Sequence, residues 1–291
     1  MIRIPTPKYT YAETLDKCEE GILRKRVLLE RLQNARDDLL AAARTYRAKV
    51  RNGTLHEIEV LGKVSKTTAV IGELTKPDMI KVYEGYFVND KKPARKVYES
   101  LLLAHTECPF CAIGAPKNLD HFLPKGEFPQ YAVFPYNLVP SCLDCNLGEK
   151  SDDVAQVAEA QIIHPYSDEN IYFTTQWISA TYHPAQAPAT GRIEFFTSPP
   201  DDWSASQKNK VREHFRAFGL AKRYGTLAAR QLPYSLNQLE HSRVDESYEL
   251  ACERILVPII ENDVLPNDWF RVMHQALLQH FAPPKAAASA P

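Results

Sequence analysis

Four of the six cysteines occur as two pairs with the same spacing, Cys108-Pro-Phe-Cys111 and Cys142-Leu-Asp-Cys145. A gap of two residues lets two thiolates reach one ion from a single tight turn, and two such turns complete a tetrahedral shell. A shell made of sulfur alone leaves no open position for a substrate. The spacing therefore predicts one structural Zn²⁺, and it disfavours the alternative of four buried, unligated thiols.

The other two cysteines, Cys18 and Cys252, lie in helical patterns. They are predicted to be ordinary buried thiols. Disulfides are not expected, because the chain begins without the apolar segment of a secretion signal and we expect it in the reducing cytoplasm.

Polar residues that can do chemistry are interleaved with the cysteine pairs, at Asp120, His121, Asn137 and Asn146. Carboxylate and amide oxygens are the hard ligands that Mg²⁺ prefers. A histidine near neutral pH can accept a proton from water. Each residue alone is more typical of a turn, a surface position or a helix cap. Together, within the frame of the cysteines, they indicate a catalytic site.

Three segments in this order resemble the HNH endonuclease family, in its variant with asparagine at the third position: Leu119-Asp120-His121-Phe122-Leu123-Pro124, Tyr136-Asn137-Leu138-Val139-Pro140-Ser141-Cys142 and Asp144-Cys145-Asn146. The resemblance covers about residues 105–150 and implies a ββα-metal unit, in which two strands and a helix hold the site.

The resemblance also implies a role for each polar residue. His121 matches the general base, and Asn137 matches the asparagine that holds the loop and orients that base. Asp120 and Asn146 match the ligands of one catalytic Mg²⁺ or Mn²⁺, which would be a different metal from the zinc because its ligands are hard. Lys150 departs from the pattern, since it follows Asn146 by four positions and the family often has three. Its role at the phosphate therefore stays open.

Charge is balanced over the 291 residues, with a formal net charge of −1. If the chain binds nucleic acid, its basic residues must be concentrated locally. The segment from Ser204 to Arg230 has seven basic residues against Glu213 alone, with aromatic residues between them. It predicts either a track for a phosphate backbone or a solvated helix face over core aromatics. A second, smaller candidate patch comprises Lys91, Lys92, Arg95 and Lys96.

The pattern of apolar residues predicts one long amphipathic helix over residues 10–50, interrupted at Lys25 and Arg36. Its apolar seam could dock on a partner or form a homo-oligomer, but internal packing is favoured because the seam is broken twice. Shorter helices are predicted near 78–86 and 94–104, the first opened by the start signal Thr75-Lys76-Pro77-Asp78. Strands are predicted at 171–173 and 192–196. Helices follow from Ser204, with breaks at Pro233 and Pro266.

These patterns predict an α+β protein with four regions. They are a helical N-terminal region (1–104), a zinc-stabilised nuclease core (105–165), a mixed C-terminal region with the candidate nucleic-acid contact (166–281) and a disordered low-complexity tail (282–291). No apolar stretch is long enough to cross a membrane.

The function implied by the resemblance is metal-dependent hydrolysis of DNA, with one active site nicking one strand at a time. By analogy alone, the large flanking regions suggest a phage-defence or mobile-element nuclease that works with a partner such as an ATPase. Two alternatives stay open. One is a non-catalytic zinc module that binds nucleic acid or protein, which would not need all four polar residues. The other is an HNH nuclease that cleaves RNA.

Overall fold

The computed structural model describes residues 1–147, 157–186, 191–242, 247–262 and 265–282. The chain divides into two compact units, one of Ile2–Asp168 and one of Glu169–Pro291 with Met1. Lys150 and residues 283–291 of the predicted tail lie outside the described residues. Helices and small antiparallel strand pairs make up both units, so the α+β fold class is confirmed.

The N-terminal segment forms three helices, so the prediction of one long helix is wrong: α1 (Tyr11–Gly21), α2 (Arg26–Asn34) and α3 (Arg36–Arg51). The chain turns where the apolar seam is interrupted. Lys25 is the exposed residue before α2, and Arg36 begins α3. The Arg36 guanidinium reaches back to α1, where it pairs with Asp16 at 2.6 Å and with Glu19 at 2.9 Å. A cation in the seam cannot be buried in a continuous apolar stripe, and here it fixes a bend instead.

A hairpin and two helices follow: β1 (Ala69–Ile71), β2 (Leu74–Thr75), α4 (Lys76–Val82) and α5 (Arg95–Leu102). The predicted start signal of α4 is confirmed, because the Thr75 hydroxyl accepts from the Asp78 amide and the Asp78 carboxylate accepts from the Thr75 amide. A π-helical turn, Tyr83–Phe87, continues α4. Turns of this kind are often found at functional sites.

The hairpin of β3 (Asn118–His121) and β4 (Leu138–Ser141) is antiparallel, and α6 (Leu143–Leu147) follows it directly. In its register Asp120 faces Val139 and His121 faces Leu138. One continuous apolar core extends from Tyr11 in α1 to Leu138 in β4. The N-terminal helices therefore pack as part of the same unit that holds the hairpin.

The second unit is built on the antiparallel pair β5 (Ile178–His183) and β6 (Arg192–Thr197). Its helices are α7 (Ile171–Thr174), α8 (Ala205–Ala217), α9 (Leu220–Ser242), α10 (Tyr248–Asn262) and α11 (Trp269–Phe281). Helix α9 packs on β6 and α11 packs on β5. Alternate strand residues are therefore buried beneath helices.

Two local predictions in this unit are wrong. The segment 171–173 is the short helix α7 rather than a strand, since a three-residue apolar run has too little periodicity to separate the two. Pro233 lies inside α9 and does not end it. Buried Leu232 and Ser235 beside it anchor the helix, which offsets the one hydrogen bond that proline removes. Pro266 does fall between α10 and α11, as predicted. Within the described ranges, every helix is too short or too polar to span a lipid bilayer.

Candidate active site and metal centre

The four paired cysteines converge on one point. Their Sγ atoms all lie within 4.8 Å of one another, and all four residues are buried. Cys111 Sγ and Cys142 Sγ are 3.8 Å apart. Zn–S bonds of about 2.3 Å in a tetrahedron require sulfur atoms about 3.8 Å apart. This cysteine cluster (Cys108, Cys111, Cys142 and Cys145) can therefore hold one zinc ion with little movement.

The first cysteine pair is shaped by a tight turn. The Ala112 amide donates to the Cys108 carbonyl at 2.8 Å, and the Cys108 amide donates to the Gly114 carbonyl at 2.8 Å. Ala112 adopts a left-handed backbone with φ of 53°, which costs a non-glycine residue about 1 kcal/mol. A Cβ on Gly114 would lie 3.0 Å from Cys142 Cβ. Glycine at this position thus lets the second cysteine pair approach the first.

Hydrogen bonds among the four thiols of the cluster shift their pKa values. Hydrogen bonding from Cys108 lowers the pKa of Cys142 to about 6, and it lowers the pKa of Cys111 as well. The pKa values of Cys108 and Cys145 are raised, because those two thiols keep their protons to stabilise the others. By contrast, burial, with a smaller contribution from the Glu19 carboxylate, raises the pKa of the isolated Cys18 thiol. The four thiols of the cluster are therefore coupled to one another, whereas Cys18 has no neighbouring thiol of the cluster.

Asp120 and His121 are consecutive residues at the end of β3, and both are almost fully buried. The His121 Nε2 atom lies 2.9 Å from the carbonyl oxygen of Ala132. A carbonyl can only accept, so this nitrogen carries the proton in the neutral ring. The Nδ1 atom is then the acceptor of the imidazole, which is the form that a general base requires.

The ring of His121 also packs edge-on against Tyr83, with 4.6 Å between ring centroids. Tyr83 belongs to the π-helical turn, so that turn aims its ring at the histidine. Burial above all, and then the neighbouring Tyr98 and Asp120, raise the pKa of the Tyr83 phenol. Tyr83 therefore packs against the histidine as an uncharged phenol.

Asn137 is fully buried and fastens the loop between the two strands. Its Oδ1 accepts from the Leu123 amide at 2.8 Å, and its Nδ2 donates to the Leu123 carbonyl at 2.9 Å and to the Tyr131 carbonyl at 3.3 Å. Its backbone carbonyl accepts from the Phe122 amide at 2.8 Å. These bonds fix the chain on the C-terminal side of His121, which is a positioning role and not contact with a substrate.

A second layer of buried hydrogen bonds supports Asn137. The Tyr46 hydroxyl on α3 donates to Asn137 Oδ1 at 3.2 Å and lies 3.1 Å from His164 Nε2. The other nitrogen of His164 accepts from the Tyr166 amide at 3.3 Å, so Nε2 is the protonated atom and donates to Tyr46. The His164 amide donates to Asp168 Oδ2 at 2.7 Å.

Asn146 is half-buried on α6, which packs against the strand that carries Asp120. In the part of the chain that the structure describes, only the four cysteines form a group of three or more metal-ligating Cys, His, Asp or Glu side chains. Magnesium needs no such group, because it is commonly held by one or two protein oxygens with water and substrate phosphate completing its shell. The donor chemistry of Asp120 and Asn146 therefore fits a magnesium ion.

No family model matches the chain, and no solved structure matches it. Protein ea31 of Escherichia phage lambda is 36% identical over 290 residues, which cover 95% of this chain and 97% of that protein. This chain belongs to the ea31 family. Because the similarity covers nearly the whole length of both proteins, family membership includes both units and not the cysteine cluster alone.

The basic segment of this ea31-family chain is only partly free to bind a ligand. Its aromatic residues, Phe215, Phe218 and Tyr224, are buried, so they belong to the core. Lys210 is buried too, with its ammonium 5.6 Å from the centre of the Tyr172 ring. Arg216 is exposed but pairs with Glu213 at 2.6 Å. A contact between this segment and nucleic acid stays a prediction.

The smaller basic patch is also largely used within the fold. Lys92 donates to the Gly21 carbonyl at 2.9 Å, and Arg95 donates to the Val88 carbonyl at 2.7 Å.

The sequence did not single out Tyr46, His164, Tyr83 or Lys125. Tyr46 was visible only as a member of the apolar seam, and nothing in the spacing of His164 or Tyr83 connects them to His121. Lys125 lies four positions after His121, so the sequence alone could have marked it as a basic residue close to the proposed base.

Proposed function

We propose that this chain is a metal-dependent HNH endonuclease that hydrolyses DNA phosphodiester bonds. The observation that carries the proposal is the state of His121, whose Nε2 is tied to the Ala132 carbonyl so that Nδ1 is the acceptor. A buried histidine held in that tautomer, next to a carboxylate on the same strand, has the form of a base that takes a proton from water.

Three further observations support the proposal. The strand–strand–helix order of β3, β4 and α6 is the one that the resemblance implies, and it carries Asp120, His121 and Asn146 on its first and third elements. Asn137 fastens the loop after the base through its own amide group. The cysteine cluster fits a closed zinc shell, which leaves the chemistry to a different metal.

In this mechanism His121 accepts the proton of the attacking water, and Asn137 holds the loop so that the ring does not turn away. Burial of Asp120 and His121 limits access of bulk water, which strengthens the electrostatic interactions at the site. Asp120 and Asn146 would hold a catalytic Mg²⁺ or Mn²⁺, which supplies charge neutralisation at the phosphate when bound.

The relative is a bacteriophage protein, so a mobile-element setting has one observation in its favour. Its printed name states neither an activity nor a partner. An ATPase partner and a defence role therefore rest on the analogy in the sequence alone.

The test is a cleavage assay with the purified full-length protein on supercoiled plasmid, single-stranded DNA and RNA, with and without Mg²⁺ or Mn²⁺. Metal-dependent conversion of supercoiled plasmid to the nicked form is the expected result. His121→Ala should lower that rate by about 10²-fold or more, the usual scale for loss of a general base.

His105→Ala is the matched control, because His105 lies near the first cysteine pair and, within the part of the chain that the structure describes, its side chain bonds only to the backbone of Glu107. It should cleave like the parent. Zinc content should be equal in all three proteins. Equal cleavage by His121→Ala and the parent would show that the active site is assigned wrongly, and metal-dependent cleavage of RNA alone would replace DNA with RNA as the substrate.

A further inference from the structure

The ammonium of Lys125 lies over the ring of Tyr83, the tyrosine that packs against the proposed base. The Lys125 ammonium is 5.1 Å from the centre of the Tyr83 ring, and that ring centre is 4.6 Å from the centre of the His121 ring. The two distances keep the ammonium within about 10 Å of the histidine, which is about one Debye length at 0.1 M salt.

The backbone around Lys125 is held in place. Leu123, two residues before it, is bonded to the Asn137 side chain through both its amide and its carbonyl. The Glu127 and Phe128 amides donate to the Pro124 carbonyl at 3.1 and 2.9 Å, which closes a turn around Lys125. Phe128 is buried and anchors the far side of that turn. The lysine is therefore presented from a fixed position and not from a free loop.

A second ammonium lies next to this turn. Lys76, the first residue of α4, has its Nζ 3.9 Å from the point where a Cβ on Gly126 would stand. Both lysines are half-buried. Among the described residues, neither of them forms an ion pair with a carboxylate. Two held cations without a counter-ion near a proposed hydrolytic base are suited to an anionic substrate.

We propose that Lys125 and Lys76, the lysine pair, bind the phosphate backbone of the DNA strand beside His121. This inference rests on the proposed function. Each strand carries one phosphate per about 3.4 Å of helix axis, so a strand with its scissile phosphate at His121 has that phosphate or a neighbour near the pair. The Tyr83 ring holds the Lys125 ammonium by a cation–π contact and leaves its N–H groups available for a phosphate.

The lysine pair also differs from the predicted basic segment. It stands in the unit that holds His121, whereas the basic segment from Ser204 to Arg230 belongs to the other unit. Residues of the segment are committed to internal contacts, as Lys210 and Arg216 show. The pair is therefore the better candidate for a phosphate contact at the site of chemistry.

The experiment measures binding of the full-length protein to a short fluorescein-labelled DNA duplex by anisotropy, at several NaCl concentrations. No divalent metal is added, so cleavage does not proceed, and no chelator is used, so zinc is retained. Each phosphate contact that is lost lowers the slope of log K against log salt by about 0.9. Lys125→Gln should weaken binding several-fold and lower the slope by about that amount, and adding Lys76→Gln should lower it further.

Lys17→Gln is the matched control, because the Lys17 ammonium also lies over a tyrosine, 5.9 Å from the centre of the Tyr9 ring. It removes the same charge and the same kind of contact on α1, which carries none of the proposed site residues, and it should leave the slope unchanged. Lys125→Arg keeps the cation and should restore the slope. Thermal melts and zinc content check that each variant is folded.

An unchanged slope in Lys125→Gln, or a parent protein that does not bind the duplex, would overturn the inference. If the slope is unchanged while His121→Ala still abolishes cleavage, the inference fails and the proposed function survives. If Lys125→Gln lowers the slope but the parent never cleaves, the phosphate contact stands and the proposed function fails.

Discussion

The two ends of the β3–β4 hairpin are held by different kinds of interaction. At one end Asn118 faces Ser141, and the next residue is Cys142 of the cysteine cluster. At the other end His121 faces Leu138, and the chain enters the loop that Asn137 fastens by hydrogen bonds. Four cysteines that can share a metal ion lie at the first end, and a buried amide with aromatic packing holds the second.

The candidate metal-binding cysteines and the proposed catalytic residues thus lie at opposite ends of the hairpin. The cluster offers four thiols that can share one metal ion, and a closed shell of this kind has no place for a substrate. The loop end depends on the identity of single side chains, and it carries the residues proposed for catalysis. Changes at the first end should therefore remove metal and stability together, whereas changes at the second should alter stability or cleavage while zinc is retained.

The largest effect is expected from breaking the cluster. Cys142→Ser removes one of four thiolates from a site whose binding energy is folding energy, worth about 10–16 kcal/mol in small zinc domains. Zinc content of dialysed protein should fall from one equivalent per chain, and the thermal unfolding temperature should fall with it. Elemental analysis and circular dichroism measure the two quantities.

Cys18→Ala is the control for the loss of a buried thiol as such. Cys18 is fully buried but lies outside the cluster, so this variant should keep one equivalent of zinc at a cost of roughly 1 kcal/mol. A parent protein that is folded without zinc, or a Cys142→Ser variant that keeps its zinc, would contradict the assignment of the cluster.

The second-largest effect is expected from replacing the fully buried Asn137. Asn137→Ala leaves the Leu123 amide and carbonyl without their partner, and each such group costs about 1–3 kcal/mol, whereas the Tyr131 carbonyl keeps its bond from the Phe134 amide. Unfolding free energy from urea titration should fall by about 3 kcal/mol, and cleavage should fall because the loop after His121 is released. Zinc content should stay at one equivalent.

Asn118→Ala provides the comparison on the same hairpin. The Asn118 side-chain oxygen is buried and has no hydrogen-bond partner among the described residues, so its removal should change stability little. If Asn118→Ala and Asn137→Ala lower stability and cleavage equally, the loop is not held by the Asn137 amide in the way described here.

The sequence was most informative where chemistry requires fixed residue types at fixed spacing. The convergence of Cys108, Cys111, Cys142 and Cys145 followed from the spacing, because few arrangements other than a metal site require it. The capping residues Thr75 and Asp78 likewise located the start of α4, since they act on neighbouring backbone groups. The catalytic roles of Asp120, His121 and Asn146 rest on resemblance and chemistry and stay predictions.

Long-range contacts were not predictable in this way. The bend between α2 and α3 depends on Arg36 meeting Asp16 and Glu19, and a charged residue in an apolar seam indicates only that the seam is interrupted. The contacts of Tyr46 join residues that are 91 and 118 positions apart, so no local pattern contains them. The segment 171–173 was assigned to the wrong element because three apolar residues fit a helix and a strand equally well.

The smallest effect is expected from the hydroxyl that supports Asn137. Tyr46→Phe keeps the ring and its edge contacts with Tyr131 and Phe134, and it removes only the bridge between Asn137 and His164. The variant should lose about 1 kcal/mol of stability, and cleavage should fall by less than tenfold because Asn137 keeps its bonds to Leu123. Because the hydroxyl acts through Asn137, its removal should cost clearly less in an Asn137→Ala background, which gives a measurable coupling energy in a double-mutant cycle.

Tyr11→Phe is the control, because it removes a hydroxyl that donates to the Gln130 carbonyl in the same aromatic core, and its effect should simply add to that of Asn137→Ala. Additive effects for Tyr46→Phe as well would mean that α3 only packs against the loop and does not help to orient it.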